Sequence, residues 1–138
     1  MGADLRVVLD TNVVISALLL RRSLTRQAFD HASSHGIVLV SVETVEELND
    51  VLRRPKFEKY VGEEERMEFL TAYVREATLV NVTEAVKACR DPMDDKFLEL
   101  AISGHATHIV TGDAGLLALH PFRKIPILAP ARFIGSTP

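Results

Sequence analysis

Six carboxylates carry the chemistry this sequence could do: Asp10, Glu47, Asp91, Asp94, Asp95 and Asp113. Asp10 ends the apolar run Leu5 to Leu9, and a second apolar run begins at Val13. Asp113 follows the run His108-Ile109-Val110-Thr111-Gly112 in the same way. Asp91, Asp94 and Asp95 stand before Lys96-Phe97-Leu98, and Glu47 lies inside a helical pattern that starts at Ser41. Carboxylates brought together repel one another and raise one another's pKa, which is costly unless a cation binds. An all-oxygen set suits a hard divalent cation such as Mg²⁺ or Mn²⁺. Singly, each acid has a plainer reading. Asp10, Asp94 and Asp95 could cap helices, Asp113 could serve a turn, and Glu43 and Glu46 read as solvated helix charges.

The elements decide whether these acids meet. Leu5–Leu9 is short, bulky and β-branched, as suits a strand buried on both faces, while the run from Val13 is too long and dense for a strand and reads as helix. A second helix opens at Ser23, and His35-Gly36 ends it before a strand over Ile37–Val40. Val45, Leu48, Val51 and Leu52 share one face of a helix that Arg54-Pro55 closes. Glu63–Arg75 reads as a surface helix carrying Met67, Leu70 and Val74 at helical spacing. Strands are expected at Thr78–Val82, His108–Thr111 and Pro126–Leu128, with a helix over Lys96–Ser103. Strands that alternate with helices imply right-handed crossovers. The expected fold is a three-layer α/β/α sandwich around a mostly parallel sheet of about five strands. On it, Asp10 and Asp113 fall at the carboxyl edge of the sheet, where open α/β sheets bind ligands, and the helices carrying Glu47 and Asp94/Asp95 begin near the same edge.

The chain of 138 residues reads as one domain over 1–138, with no repeat or linker. A net charge of −3 neither favours nor excludes nucleic acid, because local patches outweigh the sum. The single cysteine, Cys89, permits no disulfide within the chain and fits a reducing compartment. No signal-like start is present, and Val13–Leu20 is too short to span a bilayer. A cytoplasmic, membrane-free protein is expected.

Four stretches then read together: Leu9-Asp10-Thr11-Asn12-Val13; Glu46-Glu47-Leu48 with Leu52-Arg53-Arg54-Pro55-Lys56-Phe57; Asp91-Pro92-Met93-Asp94-Asp95-Lys96-Phe97-Leu98; and Val110-Thr111-Gly112-Asp113. As an ordered set, from Arg6 to about Ile127, they resemble the PIN-domain family, and within it the VapC-like toxins of toxin–antitoxin pairs. The resemblance implies a metal-dependent endoribonuclease using one or two Mg²⁺ or Mn²⁺ ions, with an RNA substrate, a cognate antitoxin and a homodimer. It places Asp10, Glu47, Asp95 and Asp113 on the family's acidic positions, with Asp91 as an additional acid. Asp95 is preferred to Asp94 because it directly precedes Lys96-Phe97-Leu98. Asn12 and Thr111 fall on polar positions that hold the acids by hydrogen bonds. Lys96 departs from the pattern, where Asn is expected, and that puts a supporting role at 96 in doubt.

The chemistry implied is phosphodiester hydrolysis, in which metal acidifies water and shields phosphate charge. Arg21, Arg22 and Arg26, and a second group of Arg53, Arg54, Lys56 and Lys59, are candidates for phosphate contacts, or else ordinary solvated charges. Two rivals differ in class. A phosphatase or phosphotransferase of haloacid-dehalogenase type also uses an aspartate after strand one, but has a second aspartate where this chain has Asn12. The other is a non-catalytic RNA- or protein-binding PIN domain, against which the full set of acids speaks.

Overall fold

The computed structural model describes residues 4–137. Five parallel strands form one sheet: β1 (Leu5–Leu9), β2 (Gly36–Val40), β3 (Thr78–Leu79), β4 (His108–Val110) and β5 (Ile127–Leu128), in the order β3-β2-β1-β4-β5. The helices are α1 (Thr11–Leu19), α2 (Leu24–His35), α3 (Val42–Leu52), α4 (Glu63–Glu76), α5 (Asp95–Ser103), α6 (Ala114–Leu117) and α7 (Pro130–Ser136). Short 3-10 turns cover Pro55–Phe57 and Pro92–Asp94.

Alternation along the strands builds the three expected layers. Leu5, Val7, Leu9, Val38, Val40, Val110 and Leu128 point to one face, where they meet α1, α2, α3, α4 and α7 through residues such as Val14, Ala28, Leu48, Tyr73 and Phe133. Val8, Leu39, Ile109 and Ile127 point to the other, against Phe97, Leu98 and Ala101 of α5 and Leu116 of α6. Both faces are covered, which is why the strands read as unbroken apolar runs. Register at the sheet centre depends on Gly36, paired with Leu5. A Cβ there would stand 2.0 Å from the Leu5 carbonyl oxygen, so only glycine fits.

Local signals explain most boundaries. Ser23 caps α2, and Ser41 and Thr44 form a capping box at the start of α3. Helix α1 begins at Thr11, two residues before the apolar run at Val13, because Asp10 itself is the cap. The outer strands β3 and β5 are two residues each, shorter than the runs Thr78–Val82 and Pro126–Leu128. Two short helices lie beyond the expected pattern. Asp113 caps α6 rather than a simple turn, and α7 buries Phe133 against α2. The α4 helix is not wholly a surface element, since Arg66 is 1% exposed there. Its guanidinium donates to the Leu52 carbonyl at 2.7 Å and to the Val61 carbonyl, and ties α4 to the end of α3.

Candidate metal centre

The acidic centre starts with Asp10, the buried residue between β1 and α1. Its Oδ1 accepts the Val13 N–H at 2.9 Å, so it does cap α1. Its Oδ2 accepts a hydrogen bond from Thr111, a fully buried residue at the end of the neighbouring β4. One oxygen of Asp10 therefore caps α1 while the other is tied to β4 through Thr111. Burial pushes its carboxyl above the usual carboxylate range; the Thr111 and Val13 hydrogen bonds pull it back, and the charges of Asp113 and Glu47 add to the rise.

Thr111 also joins the second acid. Its Oγ1 accepts the Asp113 N–H at 3.0 Å, and Asp113 Oδ2 in turn accepts the Leu116 N–H at 2.9 Å, at the start of α6. One threonine thus fixes the acids that follow β1 and β4. Glu47 arrives from α3, one and a half turns into the helix. Its Oε2 accepts a hydrogen bond from Thr11, and its Oε1 pairs with Lys96 Nζ at 2.5 Å.

The adjacent pair Asp94 and Asp95 divides in a way the sequence pattern does not announce. Asp95 Oδ1 accepts the Ala88 N–H at 3.1 Å and the Cys89 N–H at 2.8 Å. The Cys89 amide bond, foremost among those contacts, holds its carboxyl below the usual range. Asp95 therefore fastens the 88–89 loop to the start of α5. Asp94 is the one that feels the cluster. Burial, then the charges of Asp113, Asp91, Glu47 and Asp10, push its carboxyl up to about 6. Asp95, the expected member of the cluster, thus spends one oxygen on the 88–89 loop, while Asp94 stands at the junction where the 3-10 turn Pro92–Asp94 runs directly into α5. Asp91 stands at the margin, where its Oδ1 accepts the Met93 N–H at 2.9 Å.

Of the two residues expected to support the acids, Thr111 bonds Asp10 and the Asp113 amide. Asn12 is exposed and, among the described residues, makes no side-chain hydrogen bond to an acid; Thr11, buried beside it, holds Glu47 instead. Lys96, a departure from the family pattern, is in direct contact with the cluster. The basic groups sit farther off. Arg21 and Arg22 lie past the end of α1, about 13 Å of helix rise from its start. Arg21 pairs with Glu65 at 2.8 Å, and Arg26 pairs with Asp30 and reaches the Ala17 carbonyl. Arg53 binds Asn49, and the Lys56 and Lys59 ammoniums lie over the neighbouring rings of Phe57 and Tyr60. Arg22 and Arg54 are exposed, with no ion pair among the described residues.

As the side chains stand, no group of three or more His, Cys, Asp or Glu among the described residues is arranged to hold an ion. The donors nevertheless suit one. They are all carboxylate oxygens, as hard divalent cations require.

A family model described as PIN domain covers residues 6–115. The chain belongs to the PIN-domain family. It is 34% identical over 122 residues to the uncharacterized protein MJ1680 of Methanocaldococcus jannaschii, spanning 87% of this chain and 78% of that protein. Solved structures with a similar fold include PAE2754 from Pyrobaculum aerophilum, with a TM-score of 0.62 and 14% identity over 95% of this chain and 88% of that one. VapBC2 from Rickettsia felis, solved bound to a DNA fragment from its promoter, has a TM-score of 0.56 at 14% identity, covering 90% and 97%. FitAcB from Neisseria gonorrhoeae has a TM-score of 0.56 at 18% identity, covering 91% and 98%. The family resemblance and the α/β/α architecture read from the sequence both hold. PIN domains are typically nucleases, and those nucleases generally use divalent metals.

Proposed function

We propose that this PIN domain is a divalent-metal-dependent endoribonuclease, with Asp10, Glu47, Asp94 and Asp113 as the metal-holding acids and Asp91 at their margin. The observation that carries the reading is the gathering of carboxylates from four separate elements at one sheet edge, where Thr111 ties Asp10 to Asp113 and where Asp10 and Asp94 are raised first by burial and then by the charges of their acidic neighbours. A divalent ion held by their oxygens would supply charge against a scissile phosphate and acidify the attacking water. The protein's own part is to keep the oxygens aimed. Thr111 and the Val13 amide hold Asp10, Thr11 holds Glu47, and the Thr111 hydroxyl and Leu116 amide hold Asp113. Asp95 serves as a positioning residue, because the loop it fastens leads into the turn that presents Asp94. Arg22 and Arg54, exposed and without an ion pair among the described residues, join Arg53, Lys56 and Lys59 as the exposed basic residues available to RNA phosphates.

The VapBC2 and FitAcB neighbours support a toxin role for this chain, paired with a cognate antitoxin. Among the described residues no helix is long and apolar enough to cross a membrane, which suits work in the cytoplasm. The test is cleavage of labelled RNA in Mg²⁺ or Mn²⁺, with and without EDTA, beside hydrolysis of a small aryl phosphate. RNA cleavage that EDTA abolishes is expected. Hydrolysis of the small ester with RNA left intact would point to the phosphatase reading, and binding of RNA without cleavage to a non-catalytic module.

A further inference from the structure

The ion pair between Lys96 and Glu47 differs from the others in the molecule. Among the ion pairs of the described residues, it is the one with both partners mostly buried, at 13% and 22% exposure. In each other pair at least one partner is largely exposed: Glu65, Asp30, Glu58 and Arg123 all stand above 50%. A buried ion pair gives up the hydration of both groups, and that loss commonly cancels the attraction between them. Such a pair is therefore weak as a stability device. It also spans the molecule, joining the first turn of α5 to α3, 49 residues apart in sequence.

Its position is within the acidic centre. Glu47 has both oxygens engaged, Oε2 by the Thr11 hydroxyl and Oε1 by the ammonium. A carboxylate that bridges two ions must offer an oxygen to each. Here one oxygen already faces a full positive charge, and a divalent cation brought beside that ammonium would be repelled. Lysine is suited to this task, being a compact point charge on a flexible stem rather than a planar fork. Asp10, Asp94 and Asp113 keep their carboxylates free of any such cation among the described residues.

We propose that Lys96 is the fixed cation of this site, supplying on Glu47 the positive charge that a second divalent ion would otherwise supply, so that each chain binds a single ion. The inference rests on the metal-dependent reading above and narrows it. In that arrangement Lys96 is a positioning residue: it holds Glu47 toward the other acids and limits the number of ions.

Calorimetric titration of the full chain with Mn²⁺ alone at pH 7.5 tests the count. Wild type is expected to take up one ion per chain, K96R one, and K96M two, with circular dichroism melting curves confirming that each variant is folded. K96Q carries the same expectation as K96M should the methionine variant not fold. Two ions bound by wild type, or one ion still bound by the folded neutral variants at any affinity, overturns the role of Lys96 and leaves the metal-dependent reading intact. Wild type that binds no Mn²⁺ at millimolar concentration overturns that reading itself.

Discussion

Replacing Asp94 and replacing Asp95 should move the stability of the metal-free protein in opposite directions. Asp94 makes no side-chain hydrogen bond among the described residues, and its carboxyl is raised from 3.8 to about 6 by burial and by Asp113, Asp91, Glu47 and Asp10. The native state therefore binds this proton more tightly than the unfolded chain, so stability falls as pH rises from about 4 to about 6, then levels. Each tenfold gain in proton affinity corresponds to about 1.4 kcal/mol, giving a ceiling of about 3 kcal/mol. Asp94 is only partly buried, and solvent screening reduces that to about 1 kcal/mol. Asp94→Asn mimics the protonated form. In EDTA at pH 7.5 it should gain about 1 kcal/mol, or roughly 4 °C in melting temperature for a chain of this size. At pH 4 the gain should vanish, because wild-type Asp94 is then protonated too. Asp95→Ala should do the reverse, losing about 1 kcal/mol with the acceptor of the Ala88 and Cys89 amides. Thermal unfolding followed by circular dichroism at the two pH values reads both. A destabilised Asp94→Asn at pH 7.5, or a stabilised Asp95→Ala, would refute the division of labour between these neighbours.

Other outcomes follow from the same contacts. Thr111→Val strips the partner from Asp10 Oδ2 and from the Asp113 amide, and urea denaturation should show a loss of about 2 kcal/mol. Arg66→Met leaves the buried Leu52 carbonyl and the part-buried Val61 carbonyl without their donor and should cost about 3 kcal/mol by the same measurement. Gly36→Ala places a methyl against the Leu5 carbonyl and should cost about 3 kcal/mol, the scale of an overpacked core, with slowed amide exchange lost first along the β1–β2 pair.

The central strands were legible because residues buried on both faces must be apolar without a break, as in Val7-Val8-Leu9 and Val38-Leu39-Val40. The sheet edge then followed from topology, and with it the meeting of Asp10 and Asp113. Short pieces left less trace. The four residues of α6 carry too little periodicity to announce a helix, and α7 becomes visible only through the burial of Phe133. At the site, what the sequence leaves open lies one residue apart. Asp94 and Asp95 are adjacent across a junction of a 3-10 turn and an α-helix, and local pattern does not say which of two neighbours the junction turns inward. Thr11 and Asn12 differ in the same way, by one step around the first turn of α1. Lys96 looked like a departure because its partner is Glu47, a contact made by packing of α5 near α3 and absent from either stretch read alone.

Asp10 stands at the centre of the proposed chemistry, and the rate of RNA cleavage in Mn²⁺ by wild type and Asp10→Asn measures its part most directly. Loss of a ligand worth about 3 kcal/mol in the transition state lowers the rate on the order of 100-fold. That loss is predicted in a folded variant, with wild-type cleavage stopped by EDTA. Cleavage by Asp10→Asn at the wild-type rate, indifferent to EDTA, would contradict a metal-dependent nuclease built on this residue.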